Sequence, residues 1–391
     1  MWSKRTEDRI SVELCNKSIM ESIYIHFPFC VKKCGYCSFY SLENQQDLME
    51  EYSFALKREI KALSQQFSRN TIKTIYLGGG TPSLISAKLL ERILLCLKEN
   101  FRLSNPEITI EVNPGTVDYS KIKHFFEVGI NRVSIGVQSF LDSELSLLGR
   151  IHSRNEAIRT VTDCAAAGFS NINIDLIFAL PNQTKDQLSQ SLCVVKDLPV
   201  DHISTYNLHL DPGTPMYEAL NHNCFTLPDE EIDAEFYEYI IDTLPKLGLQ
   251  HYEISNFARP GKECRHNLAY WDYYDFLGIG AGATSMIAGA RYTNTEDIND
   301  YLSVSPLHQK EEEILDEYTQ IAEAIFMGLR KRKGIFLNDL SSRFGVNIMQ
   351  HYEKVISELV NKKLVITDAD VLCLSDNGLL LANEVFEAFL P

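Results

Sequence analysis

The 391-residue sequence lacks several things, and each absence narrows the field. No apolar run approaches the length of a membrane span, which leaves only peripheral membrane contact open. The first 17 residues are polar and lack an apolar core, so they read as a flexible extension and not as a signal peptide. Positive charge is scarce: 37 Lys and Arg against 53 Asp and Glu give a net charge of −16. A nucleic-acid backbone, which calls for the opposite excess, is therefore not the expected partner. Ten cysteines are present, but only Cys30, Cys34 and Cys37 cluster. Cys96, Cys164 and Cys193 fall in helix-like apolar patterns as small buried hydrophobes. This usage fits a reducing cytoplasm, where disulfides are rare.

What the sequence has is a three-cysteine loop, C-x3-C-x2-C, directly after the apolar pattern of residues 22–27. Three thiols cannot pair fully as disulfides, and zinc sites prefer paired C-x2-C or Cys/His sets. His26, four residues before Cys30 in a strand pattern, reads as a packed histidine. The spacing instead suits three corners of a four-iron cluster, which ordinarily takes four cysteines. The position two past Cys37 is Phe39, so one iron is left for a non-protein ligand.

Strand-like runs at 22–27, 72–77, 107–112, 131–137, 172–178 and 202–207 alternate with amphipathic helix patterns at 46–66, 86–101, 118–127, 154–167 and 184–196. Six consecutive βα units predict an α/β fold, a partial TIM-like (βα)6 barrel, with its chemistry at the C-terminal ends of the strands. The barrel core is expected over 18–300. A small helical, winged-helix-like domain is expected over 301–391, with helices at 311–331, 337–343 and 347–362 and a short hairpin. Lys331-Arg332-Lys333 reads as a solvated helix end.

The notable residues fall at strand ends. Gly78-Gly79-Gly80-Thr81 offers close backbone approach and N–H groups for a carboxylate or phosphate; without the Lys of a phosphate loop, nucleoside triphosphates are disfavoured. Each polar residue at a strand end has the bland alternative of a cap or a solvated face. Asp175 is the hardest to dismiss, because a carboxylate in an apolar strand needs a partner. Together Glu111, Gln138, Arg150 and Asp175 fit a zwitterionic, ribose-bearing ligand, with Arg150 suited to its carboxylate. His266, beside Tyr270 and Trp271, reads on its residues alone as a turn and core anchor in preference to an axial ligand for a flat cofactor. Gly278–Ser285 reads as close backbone packing or a ligand-facing loop.

In this order the cysteine loop, Gly78–Thr81, Glu111, Gln138, Arg150 and Asp175 resemble the radical S-adenosylmethionine (SAM) superfamily. More narrowly, Tyr24–Cys30, Asn131–Phe140, Asp175–Gln183, Tyr252–Ala258, His266–Trp271 and Gly278–Ser285 resemble the oxygen-independent coproporphyrinogen III dehydrogenases and their HemW-type heme chaperone relatives. The resemblance implies a [4Fe–4S] cluster on Cys30, Cys34 and Cys37, with SAM at the open iron. Tyr24, Gly79, Gly80, Thr81, Glu111, Gln138, Arg150 and Asp175 would contact SAM, which the reduced cluster would cleave to methionine and a deoxyadenosyl radical.

Two functions follow from the resemblance: transfer of heme to respiratory acceptor proteins, which needs no catalytic turnover, or oxidative decarboxylation of coproporphyrinogen III propionates. The dehydrogenases carry a fourth cysteine where Phe39 stands and a longer segment before the cluster, whereas here 29 residues precede Cys30. The motif His266-Asn267-x-x-Tyr270-Trp271 is linked to heme in the chaperones. All three features favour the chaperone and recast His266 as a heme ligand. An electron donor and a homodimer are implied by analogy. Thr284 stands where the family usually has His, and Ala179 and Asn182 replace two usual glycines.

Overall fold

The computed structural model describes residues 20–67, 69–303 and 309–390, with 309–311 as backbone only. The extension expected over 1–17 lies outside the described residues. Strands β1 (Met20–Phe27), β2 (Thr71–Gly79), β3 (Arg102–Val112), β4 (Arg132–Gln138), β5 (Ile172–Phe178) and β6 (His202–Asn207) pair in sequence order, all parallel. The connecting helices are α1 (Met49–Phe67), α2 (Ala87–Asn100), α3 (Tyr119–Glu127), α4 (Asp142–Leu147), α5 (Arg154–Ala167) and α6 (Lys185–Val195). Their starts are written locally. Ser86 and Asp118 cap α2 and α3, and Ser153 with Glu156 and Thr184 with Gln187 form capping boxes on α5 and α6. The strands read as nearly unbroken apolar runs because helices cover their outer face.

After β6 come α7 (Pro215–Asn221), α8 (Glu230–Thr243), β7 (Gln250–Glu253), β8 (Asn256–Ala258), α9 (Arg265–Trp271), β9 (Asp275–Ile279), β10 (Thr284–Ile287), β11 (Ala290–Asn294), α10 (Ile298–Ser303) and β12 (Gln309–Ile314). They extend the sheet on both sides, giving the order β12-β11-β10-β9-β1-β2-β3-β4-β5-β6-β8-β7. β9 runs parallel to β1; the strands added outside it, and β8 beside β6, are antiparallel. The architecture is thus the expected partial barrel, lengthened by strands that local pattern did not reveal.

Two expectations are corrected. The helix expected from 311 begins at Glu317, capped by Asp316, and 309–314 is a strand. Pairing with β11, including an Arg291–Glu313 ion pair at 3.0 Å, outweighs the helical bias of Glu311-Glu312-Glu313. The main sheet therefore runs on to Ile314. The basic cluster is also no solvated helix end: Lys331 is buried and ion-paired with Asp272.

The C-terminal part comprises α11 (Glu317–Leu329), β13 (Ile335–Phe336), α12 (Leu337–Phe344), α13 (Ile348–His351), α14 (Glu353–Asn361), β14 (Val365–Asp368), β15 (Val371–Leu374), α15 (Asp376–Leu380) and α16 (Ala382–Glu387). Its three strands form a separate antiparallel sheet over a second core around Ile325, Leu329, Leu372 and Val385.

Candidate functional site

The three clustered cysteines cross the C-terminal ends of the barrel strands. Beyond Pro28, Phe29–Cys30 pairs with Leu42–Glu43, pinning both ends of the loop. Cys30, Cys34 and Cys37 then line one cavity of about 430 Å³, and none is in a disulfide. Cys30 Sγ lies 3.5 Å from Thr81 Oγ1, and Arg150 Nη1 donates to Cys34 Sγ at 3.3 Å. Burial pushes the Cys37 thiol up from its usual range, against a bare thiolate. Coordination to a metal would reverse that preference, since a coordinating thiol is deprotonated. Three free, separated thiols on one wall, with a guanidinium beside them to offset negative charge, fit three corners of an iron–sulfur cluster.

The opposite wall is built from the strand ends. Glu111 Oε1 accepts from Tyr76 Oη at 3.0 Å and Oε2 from the Gly79 N–H at 3.1 Å. Burial, reinforced by nearby Asp175, pushes Glu111 up to about 7. Asp175 accepts from Asn173 Nδ2 at 2.7 Å and from Ser134 Oγ at 3.3 Å; burial raises it as well. Arg150 spreads its guanidinium over Cys34, Asn113 Oδ1 at 2.6 Å and the Gly136 carbonyl at 2.7 Å. Gln138 closes β4 with φ +66°, a left-handed conformation uncommon for a residue with a side chain. Such strain is found at functional positions more often than elsewhere.

The cavity thus gathers Gly79, Gly80, Thr81, Glu111, Gln138, Arg150 and Asp175 with the three cysteines. Two glycines act differently from the expectation of free N–H groups. The Gly79 N–H is taken by Glu111, and the Gly80 N–H by the Phe27 carbonyl at 2.8 Å. Gly79 has φ +113°, and a Cβ there would lie 2.6 Å from the His26 ring; one on Gly80 would meet the Phe29 carbonyl at 2.8 Å. The glycines let the loop after β2 fold tightly beneath the site. Tyr24 does not line the cavity. It is one layer down, its hydroxyl 3.0 Å from His26 Nδ1 and its ring stacked on Tyr76.

His266 is set apart from the cavity. It is only 2 % exposed, with Nδ1 2.8 Å from Thr74 Oγ1 and Nε2 2.9 Å from Tyr270 Oη, and it stacks on the Tyr76 ring at 5.1 Å. Burial depresses its basicity to about 3. Glu107 fixes the start of α9 by accepting the Arg265 and His266 N–H groups at 3.3 and 3.2 Å. The segment Gly278–Ser285 resolves as internal packing: the Gly280 N–H donates to Glu59 and the Gly278 N–H to Ser285 Oγ, both at 2.9 Å. Thr284 pairs with Thr293 in β10 and β11.

Sequence reasoning missed Asn113 and Tyr76. Asn113 links Arg150 to Thr81 by donating to Thr81 Oγ1 at 2.9 Å; its signal was its place two residues after Glu111. Tyr76 points inward from β2 and joins Glu111 to the His266 layer. Ala179 and Asn182, where glycine is usual, both have φ +59°. The loop after β5 keeps its left-handed turns with residues that tolerate them less readily, Ala179 least of all.

Residues 24–192 match the model of the radical SAM superfamily, and residues 315–381 match that of the HemN C-terminal domain. The heme chaperone HemW of Lactococcus lactis subsp. lactis is 38 % identical over 371 residues, 94 % of this chain and 97 % of that one. HemW of Bacillus subtilis is 36 % identical over 380 residues, 95 % and 99 % of the two chains. Among solved structures, coproporphyrinogen III oxidase (HemN) from Escherichia coli superposes with a TM-score of 0.84 at 24 % identity, covering 97 % of this chain and 92 % of that one. That likeness shows the shared fold.

Proposed function

Since the chain belongs to the HemW family of heme chaperones within the radical SAM superfamily, we propose that it binds heme and passes it to heme-requiring respiratory acceptors. The observation that carries this reading is 38 % identity to a chaperone over 94 % of the chain, joined to a cavity lining that includes three cysteines and, at the fourth position, Phe39. Cys30, Cys34 and Cys37 would hold a [4Fe–4S] cluster. When bound, that group would supply one-electron reducing power for SAM chemistry.

The chain's own residues account for SAM retention. Arg150 offers a guanidinium edge to the methionyl carboxylate while neutralising charge at Cys34. Glu111 and Asp175, ionised, accept hydrogen bonds from ammonium or ribose hydroxyls. Tyr24 supports this layer through Tyr76. For His266 to ligate heme, its ring must leave Thr74 or Tyr270, so a heme role there requires movement of α9. A cytoplasmic setting, an external electron donor and a homodimer belong to the same proposal. Among the described residues no helix is long and apolar enough to cross a membrane.

The decisive experiment offers the anaerobically reconstituted chain SAM and a reductant, with either heme or coproporphyrinogen III. Heme binding followed by transfer to an apo-acceptor is the expected result; formation of protoporphyrinogen would overturn the chaperone reading. In the same preparation Cys34→Ala should lose the broad visible absorption of the cluster, and an unchanged spectrum would remove Cys34 from the ligand set.

A further inference from the structure

Beneath the cavity the barrel interior is polar. Ser22, Thr74, Glu107, Arg132, Asn173 and His202 are all buried, whereas closed α/β barrels are filled by branched apolar side chains. Thr74 and Glu107 are spent on α9. Asn173 and His202 lie outside the cavity lining and sit at paired positions of β5 and β6. Asp175, two residues beyond Asn173, shares its face of the strand and lines the cavity.

A hydrogen-bonded chain joins these residues to α9, and it runs in one direction. The Cys264 N–H, at the start of α9, donates to Tyr252 Oη at 3.3 Å. Tyr252 Oη lies 2.8 Å from His202 Nε2, and His202 Nδ1 lies 2.6 Å from Asn173 Oδ1. Asn173 Nδ2 then donates to Asp175 Oδ1 at 2.7 Å and to Ser134 Oγ at 2.6 Å. The donor and acceptor roles are forced. The amide nitrogen of Asn173 is spent on Asp175 and Ser134, so its oxygen faces His202 and must meet an N–H; Ser204 Oγ donates to the same oxygen at 3.3 Å. His202 therefore carries its proton on Nδ1, and Nε2 accepts from the Tyr252 hydroxyl. That requires a neutral ring. Burial, helped by the Arg132 charge, holds His202 well below its usual range. The opposite tautomer would set a lone pair against Asn173 Oδ1. An amide reversed to suit it would turn its oxygen on the Asp175 carboxylate.

We infer that His202 is a positioning residue for SAM: it fixes the Asn173 amide that orients Asp175, and it is itself set by Tyr252 at the start of α9. A row of donors ending on a carboxylate polarises each link toward the charge, so the last bond is stronger than an isolated one. Asp175 is then preorganised as an acceptor before a ligand hydroxyl or ammonium arrives. Neither His202 nor Tyr252 lines the cavity. The segment that carries His266 thus takes part in holding SAM from beneath. This inference rests on Asp175 being a SAM contact and adds what sets its geometry.

The test measures SAM affinity of the full, cluster-reconstituted protein by equilibrium dialysis, with the SAM-dependent change in the paramagnetic resonance of the reduced cluster as a second readout. Tyr252→Phe removes one hydroxyl outside the cavity and should weaken SAM on the order of tenfold. His202→Phe should do the same, and His202→Gln, which keeps a donor and an acceptor, should recover most of the affinity. Every variant should keep the visible absorption of the cluster, since none of these hydrogen bonds involves Cys30, Cys34 or Cys37. In an Asp175→Asn background Tyr252→Phe should cost nothing further. Additive losses would mean a role separate from Asp175 and would overturn the inference. So would wild-type affinity in Tyr252→Phe and His202→Phe, no recovery in His202→Gln, or loss of the cluster from Tyr252→Phe; in each case the SAM reading stands. Wild-type affinity in Asp175→Asn would remove Asp175 as a contact and the inference with it. A wild-type protein that binds no SAM would overturn the SAM reading itself, and that is seen before any variant is made.

Discussion

Glu111 is a buried carboxylate whose two hydrogen-bond donors, Tyr76 and Gly79, are neutral. Burial and the neighbouring Asp175 raise it from an ordinary 4.5 to about 7. Between these values the folded chain holds a proton that the unfolded chain has released. The stability linked to this group is therefore fully present below about 4.5 and is lost as pH rises through about 7. Its size is on the order of 3 kcal/mol. Thermal unfolding of the ligand-free chain should show stability declining from pH 5 to pH 8, with a shallower decline in Glu111→Gln. Some slope should survive, because burial also pushes Glu59 to about 7 and raises Asp175. An identical slope in the variant would place the titration elsewhere. Binding of a cationic ligand should run the other way and tighten above pH 7, when Glu111 is ionised.

At the scale of elements, the start of α9 is fixed by one side chain from β3. Glu107 accepts the backbone N–H groups of Arg265 and His266 and the Cys264 thiol at 3.7 Å. Glu107→Ala leaves those donors buried without an acceptor, and chemical denaturation should register a loss of about 2–3 kcal/mol. Cluster reconstitution, which depends on the far ends of the strands, should persist. Loss of both together would mean that α9 and the cluster loop form one cooperative unit.

Elements with local signals were legible in the sequence. α5 was placed correctly because Ser153 and Glu156 announce its start, and β5 because Ile172–Phe178 is apolar on both faces around Asp175. β12 was not legible, since three consecutive glutamates become a strand only when β11 lies beside them. The same holds within the site. The thiols and strand-end carboxylates could be read from spacing, but the capture of the Gly79 N–H by Glu111 depends on two strands meeting across 32 positions. The enclosure of His266 likewise depends on Thr74, far away in sequence.

For the whole molecule, the decisive contacts are those between the barrel and the C-terminal part. Lys331 ion-pairs with Asp272, Arg343 donates to the Asp272 carbonyl at 3.1 Å, and the Arg330 guanidinium lies 4.5 Å over the Trp271 ring. The Ile254 N–H reaches the Arg330 carbonyl at 3.0 Å, and the Arg332 N–H the Tyr252 carbonyl at 3.0 Å. All of these converge on α9 and the β7–β8 turn, so the C-terminal part packs on the segment that carries His266. Lys331→Ala leaves Asp272 partly buried and unpaired. Calorimetry should show a loss of about 1–3 kcal/mol and, if the two parts then melt separately, a split transition. A single unshifted transition would show that the ion pair does not couple them.

The twelve-stranded order ends at β12, which among the described residues keeps one side of its backbone unpaired. An open strand edge is a template on which other chains can polymerise. Here it carries Glu312 and Glu313, and a second copy aligned on it would bring carboxylates against carboxylates. The acidic run that disguised β12 as a helix in the sequence thus guards the sheet against growing into fibres.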